Sequence, residues 1–264
     1  MGKFGTFVGV FGATAVVIIS MYLEGSHIGS FLNLSAFNLI MGGTMCVVMT
    51  CFGMGEIPKL PKYMGQAFFP PQHDLKHVIT EILSFSEKAR REGLLALEDD
   101  VHNVKDDMTR TGLQMIVDGA EPETTAQVLE DFDSSAKKHE KIPAEVFETL
   151  GGFAPTLGII GTVMGLVHVL EGLGGGGGIE QLGEGIAVAF IATFYGIGFA
   201  NILWLPLSNR IKTNMHHAAT SRGIVTTGIL AIQAGENPRV LKDKLLAQIG
   251  DPAERKKINE ELKM

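Results

Sequence analysis

The sequence predicts an all-α integral membrane protein: four transmembrane helices, a cytosolic helical domain between helices 2 and 3, and a cytosolic C-terminal helical tail. Three observations carry that expectation. Four long apolar runs punctuate the chain, charged residues make up only 19% of it, and 33 glycines accompany a positive mean hydropathy. Glycine at that level among apolar runs suits membrane helices, which approach one another through small residues. The corresponding segments are 1–55 (helices 1 and 2), 56–147 (the cytosolic domain), 148–208 (helices 3 and 4) and 209–264 (the tail). A net charge of −7 lacks the basic footprint of a nucleic-acid binder.

Taken in order, the runs are Phe4–Leu23, Leu32–Met54, Phe153–Leu170 and Ile186–Leu207, each close to the ~20 residues that cross a hydrocarbon core. The first is too long for a signal-peptide core, and no small-residue cleavage pattern follows it. The opening "MGKFGT" fits a myristoylation pattern, but a lipid beside a spanning helix is redundant. Cys46 and Cys51, within the second run, read as buried small hydrophobes. Orientation follows from basic residues. The connections "EGSHIGSF" and "EGLGGGGGIEQLGEG" contain none, whereas Lys3, Lys59, Lys62, Arg210 and Lys212 all lie on the other side. The positive-inside rule therefore places both termini and the middle segment in the cytoplasm. "GLGGGG" matches the dinucleotide pattern G-x-G-x-x-G only by accident, since no strand precedes it; Gly174–Gly178 reads as a flexible outer turn.

The middle segment opens with "IPKLPKYMGQAFFPP", whose prolines predict an extended, turn-rich strap rather than a helix. Leu75, Val78, Ile79, Ile82 and Leu83 then recur at helical spacing. Further helices are expected at Met108–Val117 and over "EPETTAQVLEDFDSSAKKHEKI", whose acidic start and basic end suit the helix dipole. Past Leu207 the fourth helix should continue, with Ile211, Met215, Ala218, Ala219 and Arg222 in helical register. "AGENPRVLKDKLLAQI" starts a last helix, and "DPAERKKINEELKM" reads as a charged, mobile end.

Two constellations could carry function. On a helix, Pro155, Gly158, Thr162 and Gly165 fall within about 80° of one another, with Ile160, Val163 and Val167 on the far side. Ala189, Thr193, Gly196 and Ala200 share a face of the fourth run in the same way. Such faces serve tight helix packing, with threonine hydroxyls bonded back to their own helix, or they line a narrow polar path for an ion. No Asp, Glu, Lys or Arg lies in the middle of any run; Glu24, Glu171 and Glu184 stand at the outer ends, and His168 one turn from that edge. Since ionisable groups mark ion pathways, a charged carrier for any ion crossing here must come from another chain. The second constellation is "EKARREGLLALEDD", in which Arg90 and Arg91 neighbour Glu98 if the helix continues through Gly93. It is a solvated charged face or a patch that recognises a charged partner.

"ARREGLLALED", "GGFAPTLGIIGTVMGLVHVL" and "FIATFYGIGFANILWLPLSNRIK" together resemble the MotA family, the channel-forming subunits of the bacterial flagellar stator, over nearly the whole chain. The resemblance implies a ring of subunits, a homopentamer, around a dimer of a single-span, peptidoglycan-anchored MotB-like protein that supplies the ion-binding carboxylate. Ion flow would turn the ring against the rotor protein FliG. It further implies Thr162 and Thr193 as ion-path residues, Pro155 and Pro206 as points coupling channel to cytosolic domain, and Arg90 and Glu98 as rotor-interacting charges. Sodium-driven relatives have threonine at both path positions, and proton-driven ones have alanine or threonine at the first; the reading favours protons, with sodium as the alternative.

The expected activity is thus ion conduction coupled to torque in the inner membrane, with no catalytic residues, no metal site and no cofactor. The rival is a TolQ/ExbB-type energiser of a cell-envelope process, a class with three spans and its large cytosolic loop after the first. An intramembrane hydrolase fits worse: there is no H-E-x-x-H, and no base stands beside the threonines.

Overall fold

The computed structural model describes residues 5–71, 74–174 and 179–262, and among these every regular element is helical. In chain order they are α1 (Gly5–Leu23), α2 (Leu34–Phe52), α3 (Leu60–Phe68), α4 (Leu75–Glu92), α5 (Glu98–Val101), α6 (Asp107–Val117), α7 (Pro122–Gly174), α8 (Ile179–Gly198), α9 (Leu205–Gln233), α10 (Pro238–Ala247) and α11 (Pro252–Glu261). Short 3-10 turns at Ile28–Phe31, Met54–Lys59 and Leu94–Leu97, and a π-helical turn at Phe199–Trp204, complete the set. Four stretches, Gly5–Leu23, Leu34–Phe52, Pro122–Gly172 and Gly185–Gln233, are long and apolar enough to cross a membrane. Lys3 and residues 175–178 of the expected outer turn lie outside the described residues.

Local chemistry sets the helix ends. Asn33, Asp74, Asp106, Asn237 and Asp251 each accept a backbone N–H of the following first turn, which satisfies donors that a helix start leaves open. Proline occupies the first turn of α10 and α11, where its missing N–H costs nothing. Gly93, at φ +91 and ψ 165, ends α4 in a region that only glycine visits without strain.

Several expectations are corrected. The proline-rich stretch after helix 2 is not a strap. Pro58 lies in a 3-10 turn and Pro61 in the first turn of α3, and Leu60, Tyr63 and Ala67 of that helix are buried. The segment from Pro122 does not form a separate helix but runs unbroken into the third span, with Pro143 accommodated inside the helix and Gly151–Gly152 taking no positive φ that would end it. Residues 252–261 are not a loose end: Asp251 caps α11, Ile258 enters the core, and Glu261 pairs with Lys76 at 2.8 Å. Cys46 and Cys51 are exposed rather than buried, because α2 turns Ala36, Ile40, Thr44 and Val48 inward instead.

The described chain forms two compact units. One comprises Met1–Pro71 and Lys141–Thr213. Its interior holds Ile40, Ala154 and Ala200, Phe147 stacks on Trp204 with centroids 5.8 Å apart, and the buried Ser208 hydroxyl donates to the Ala144 carbonyl at 2.8 Å. In α3 the Tyr63 hydroxyl donates to the Glu56 carboxylate. Burial, then that hydrogen bond and its charge, pushes the Tyr63 phenol up to about 12, so it remains a donor at any physiological pH.

The other unit comprises Gln72–Glu140 and Asn214–Met264. The middle segment and the tail therefore share one core, from Leu75, Ile79 and Ile82 through Met108 and Leu113 to Ile224, Ile229, Leu245 and Ile258. Its polar clamp is Arg222 of α9. The guanidinium donates to Asp133 at 2.7 Å and, through both terminal nitrogens, to Glu140 at 2.6 and 3.0 Å. A bidentate pairing of this kind fixes geometry as well as charge. Burial opposes ionisation of Asp133, but hydrogen bonds and charge from Lys137 and Arg222 outweigh it and hold the carboxyl below its ordinary value. A lowered folded value contributes stability that is complete above the usual carboxylate range, about 4, and is lost as pH falls through the folded value. Arg222→Ala should lower stability by about 1–3 kcal/mol at neutral pH and remove part of the loss on acidification. Thermal melts of both proteins between pH 3 and pH 7 (about the range in which a carboxylate titrates) check this; parallel curves would show that the clamp does not contribute.

Candidate ion path and charged face

The third and fourth spans meet through the two small faces. A β-carbon placed on Gly158 would lie 3.0 Å from the Ala192 carbonyl oxygen and 3.1 Å from the Thr193 Cα; one on Gly196 would lie 2.5 Å from the Ala154 carbonyl oxygen. Gly161 and Gly165 face Ala192 and Ala189 in the same way. The packing reading therefore holds within this chain. Pro155, Thr162 and Thr193 are half-buried, Ala189, Gly196 and Ala200 are buried, and Ile160, Val163 and Val167 are exposed on the opposite side.

Thr162 and Thr193 are brought together. Their hydroxyls are in direct hydrogen-bond contact; Thr162 Oγ1 also reaches the Gly158 and Ala189 carbonyls at 3.1 and 3.0 Å, and Thr193 Oγ1 lies 3.4 Å from the Gly158 carbonyl. Each hydroxyl has one proton and two acceptor lone pairs. Two protons thus serve several acceptors, and at any moment lone pairs are left that can face a cation or a hydrated proton. One end of this packing is anchored by Tyr195, whose hydroxyl donates to the Phe31 carbonyl at 2.6 Å and accepts from the Asn33 N–H at 3.3 Å. His168 is exposed.

The two prolines act on the backbone ladder. Pro155 offers no N–H to the carbonyl of Gly151, and Gly151 packs against Leu205, whose side chain a β-carbon would meet at 2.7 Å. Leu205 immediately precedes Pro206, which in turn withholds an N–H from Ile202. The helix answers with the π turn Phe199–Trp204, after which the Leu205 N–H reaches back five residues to the Ala200 carbonyl. Such bulges recur at functional positions. Sequence reasoning found both prolines but not the π turn, whose one local signal was Pro206 itself, two residues past its end. Pro206 also borders a cleft of about 570 Å³ with Gly5, Gly9 and Ala13 of α1 and with Asn201 and Thr213.

The charged face is built differently from a single helix. Arg90 lies in the last turn of α4, Gly93 breaks the chain direction, and Glu98 opens α5 after the turn Leu94–Leu97. Arg90, Arg91, Leu95 and Glu98 are all exposed. Lys88 fastens the two helices by pairing with Asp100 at 2.7 Å, leaving Arg90 and Glu98 free to face outward. A second feature escaped sequence reasoning. Arg239, in the first turn of α10, lines one cleft of about 360 Å³ together with Arg90, Arg91, Glu87, Asn237 and Pro238.

Four stretches long enough to span, two of them packed through small residues around a pair of hydroxyls, define the class as a multi-span helical membrane protein. Comparison with known proteins narrows the class. A family model described as the MotA/TolQ/ExbB proton channel family matches residues 100–223, which contain both threonines and both prolines. The chain is 32% identical over 253 residues to motility protein A of Borreliella burgdorferi, covering 94% of this chain and 93% of that protein. Its fold matches a chain of the C. jejuni MotAB structure with a TM-score of 0.86 at 28% identity, covering 94% and 97% of the two chains. A chain of the flagellar MotAB stator complex from Bacillus subtilis matches with a TM-score of 0.85 at 30% identity, covering 95% and 97%. The chain belongs to the MotA/TolQ/ExbB proton channel family.

Two outcomes test the geometry. Gly196→Ala sets a methyl against backbone that cannot yield, and should destabilise by about 1–3 kcal/mol; Gly65→Ala, with no atom within 4 Å, is the neutral or mildly stabilising control. Thermal denaturation in detergent reads both. In a cycle of Thr162→Ala, Thr193→Ala and the double variant, ion-driven swimming should fall in each single variant and no further in the double, because either change removes the shared contact. Additive losses would mean that the hydroxyls act separately.

Proposed function

We propose that this chain is a flagellar stator subunit of the bacterial inner membrane, with both termini in the cytoplasm. With a MotB-like single-span partner it conducts ions, protons by preference, down their gradient and turns the flow into torque on the rotor protein FliG. Five copies form a ring around two copies of the partner. One observation carries the reading: the two closely packed spans present a joined pair of neutral hydroxyls and no Asp, Glu, Lys or Arg in their middle, in a chain similar along its length to motility protein A. Such a path is incomplete on its own and requires a carboxylate from elsewhere.

Within this reading Thr162 and Thr193 line or brace the ion path. Pro155 and Pro206 are the points at which movement of the spans passes into their helical extensions, and the π turn supports that role by supplying a backbone register that can shift. Arg90 and Glu98 meet the rotor. The TolQ/ExbB alternative has less support, because four stretches here are long and apolar enough to span.

The reading is tested by expressing the chain alone and with its MotB-like partner in a strain lacking both, then measuring ion flux and swimming while sodium and pH are varied separately. Flux and swimming are expected only with the partner, and should follow the proton gradient and not sodium. Substantial flux through this chain alone would end the proposal, and dependence on sodium would reverse the choice of ion.

A further inference from the structure

The cleft of about 570 Å³ between α1 and the start of α9 has two walls of different chemistry. One wall is a single face of α1, with Gly5, Gly9, Val10 and Ala13, which at 1.5 Å per residue extends about 12 Å along the helix. β-Carbons placed on Gly5 and Gly9 would meet nothing within 4 Å, so within this chain these glycines, unlike Gly158 and Gly196, hold no helix close. α1 is fastened beside the cleft instead. The Thr6 hydroxyl donates to the Ala67 carbonyl of α3 at 3.2 Å, and the Phe7 ring packs on Phe68 with centroids 4.5 Å apart. On the opposite wall the Asn201 amide donates to the Ile197 carbonyl at 3.0 Å, and the Thr213 hydroxyl to the Asn209 carbonyl at 3.0 Å. That wall also carries the Asn209 amide and the Arg210 guanidinium, and none of the described residues lining the cleft is acidic.

We propose that this cleft binds one anionic phospholipid of the cytosolic leaflet. The inference rests on the topology of the stator reading, in which Gly5 and Thr213 both lie toward the cytosolic ends of their spans. Gly9, Val10 and Ala13 then meet an acyl chain, while Asn209 and Arg210 stand at headgroup depth and donate to the phosphate. Basic pockets between spanning helices on the cytosolic side suit anionic headgroups in this way. Arg210 already interacts within the chain, but a guanidinium has five N–H donors, so a phosphate adds to that contact and does not replace it. A gap of this size left empty would forfeit the dispersion contacts of both walls. A further apolar helix would restore them only on the α1 side, whereas a phospholipid carries an apolar chain and a phosphate on one molecule. Ile202 and Pro206 border the same cleft, so the occupant packs against the turn that the stator reading makes a coupling point.

The test uses the full complex with its MotB-like partner, purified in detergent and titrated with phosphatidylglycerol or phosphatidylcholine, with bound lipid read by native mass spectrometry. The unaltered complex should hold phosphatidylglycerol about fivefold more tightly than phosphatidylcholine, the advantage that one basic side chain gives toward an anionic lipid. Arg210→Gln should remove that preference. Gly9→Leu, which fills the cleft, should weaken binding of both lipids about tenfold, as expected for overpacking a formed site. Gly12→Leu, on the same helix but outside the lining and likewise with nothing within 4 Å, should leave both unchanged. Undiminished binding in Gly9→Leu, equal loss in Gly12→Leu, or no headgroup preference in the unaltered complex overturns the proposal. If Gly9→Leu instead breaks the complex into smaller assemblies, the cleft receives a neighbouring copy of this chain, and the proposal is equally overturned. Should Arg210→Gln fail to assemble, the Gly9→Leu and headgroup comparisons decide alone. Flux without the partner would end the stator reading, and is read separately from lipid binding.

Discussion

At Gly158 and Gly196 the backbones of the third and fourth spans come so close that a single methyl group would strike a carbonyl oxygen. In lipid no hydrophobic force draws helices together, so that proximity must be held by contact area and by whatever polar groups the two surfaces share. Here the shared groups are Thr162 and Thr193 and the Gly158 and Ala189 carbonyls. The small residues and the hydroxyls are therefore not alternatives. Glycine at 158 brings the helices near enough for one threonine to reach across to its counterpart, and the hydroxyl contact in turn fixes the register of the glycines. A larger residue at any of these places would separate the oxygens as well as the helices.

The same closeness explains how the prolines are tolerated. An internal proline in a lipid-exposed helix leaves a carbonyl that lipid cannot satisfy. Both prolines stand where a neighbouring helix is packed tightly: Gly151, below Pro155, lies against Leu205, and Pro206 follows the π turn whose Leu205 N–H has moved to the Ala200 carbonyl. Close packing thus shields the first site from lipid, and at the second the wider helical turn re-pairs the backbone just before the proline. Such a turn holds one more residue per bond than its flanks, and converting it to regular helix would rotate everything beyond it. In the proposed function that is a physical basis for Pro206 as a coupling point.

The spans, the small faces and most cytosolic helices were legible in the sequence because each follows from a local pattern: apolar length, three- and four-residue spacing, or a capping side chain before an apolar series. What was misread depended on partners far away in the chain. Pro58 and Pro61 looked like breakers, yet their place at a helix start is decided by Leu60, Tyr63 and Ala67 finding an interior. The charged terminus looked mobile because Ile258 and Glu261 have value only where the α4 segment receives them. Asp251-Pro252, a cap followed by a helix-starting proline, was the local signal that outweighed the charge. The cysteines failed for the opposite reason: in a spanning helix, apolar character alone does not say which face turns inward. For the site residues, spacing placed Thr162 and Thr193 correctly on their faces, but that they touch each other requires the helices to be docked.

The absence of charge from the spans has a consequence for how such a subunit can be assembled. A carboxylate fixed in the middle of a helix would have to enter the bilayer either ionised at high cost or protonated, before any partner could surround it. A chain whose path is built from hydroxyls and carbonyls enters without that penalty, because each polar group already has an internal partner in the folded pair of spans. In the proposed stator the carboxylate, carried by a separate chain, would then meet oxygens that are in place before it arrives. Neutral threonines can release a cation as readily as they accept it, since they add no charge to hold it. In the proposed stator, binding strength would thus be set by the partner's one ionisable group, and the threonine pair would shape the passage without trapping what moves through it.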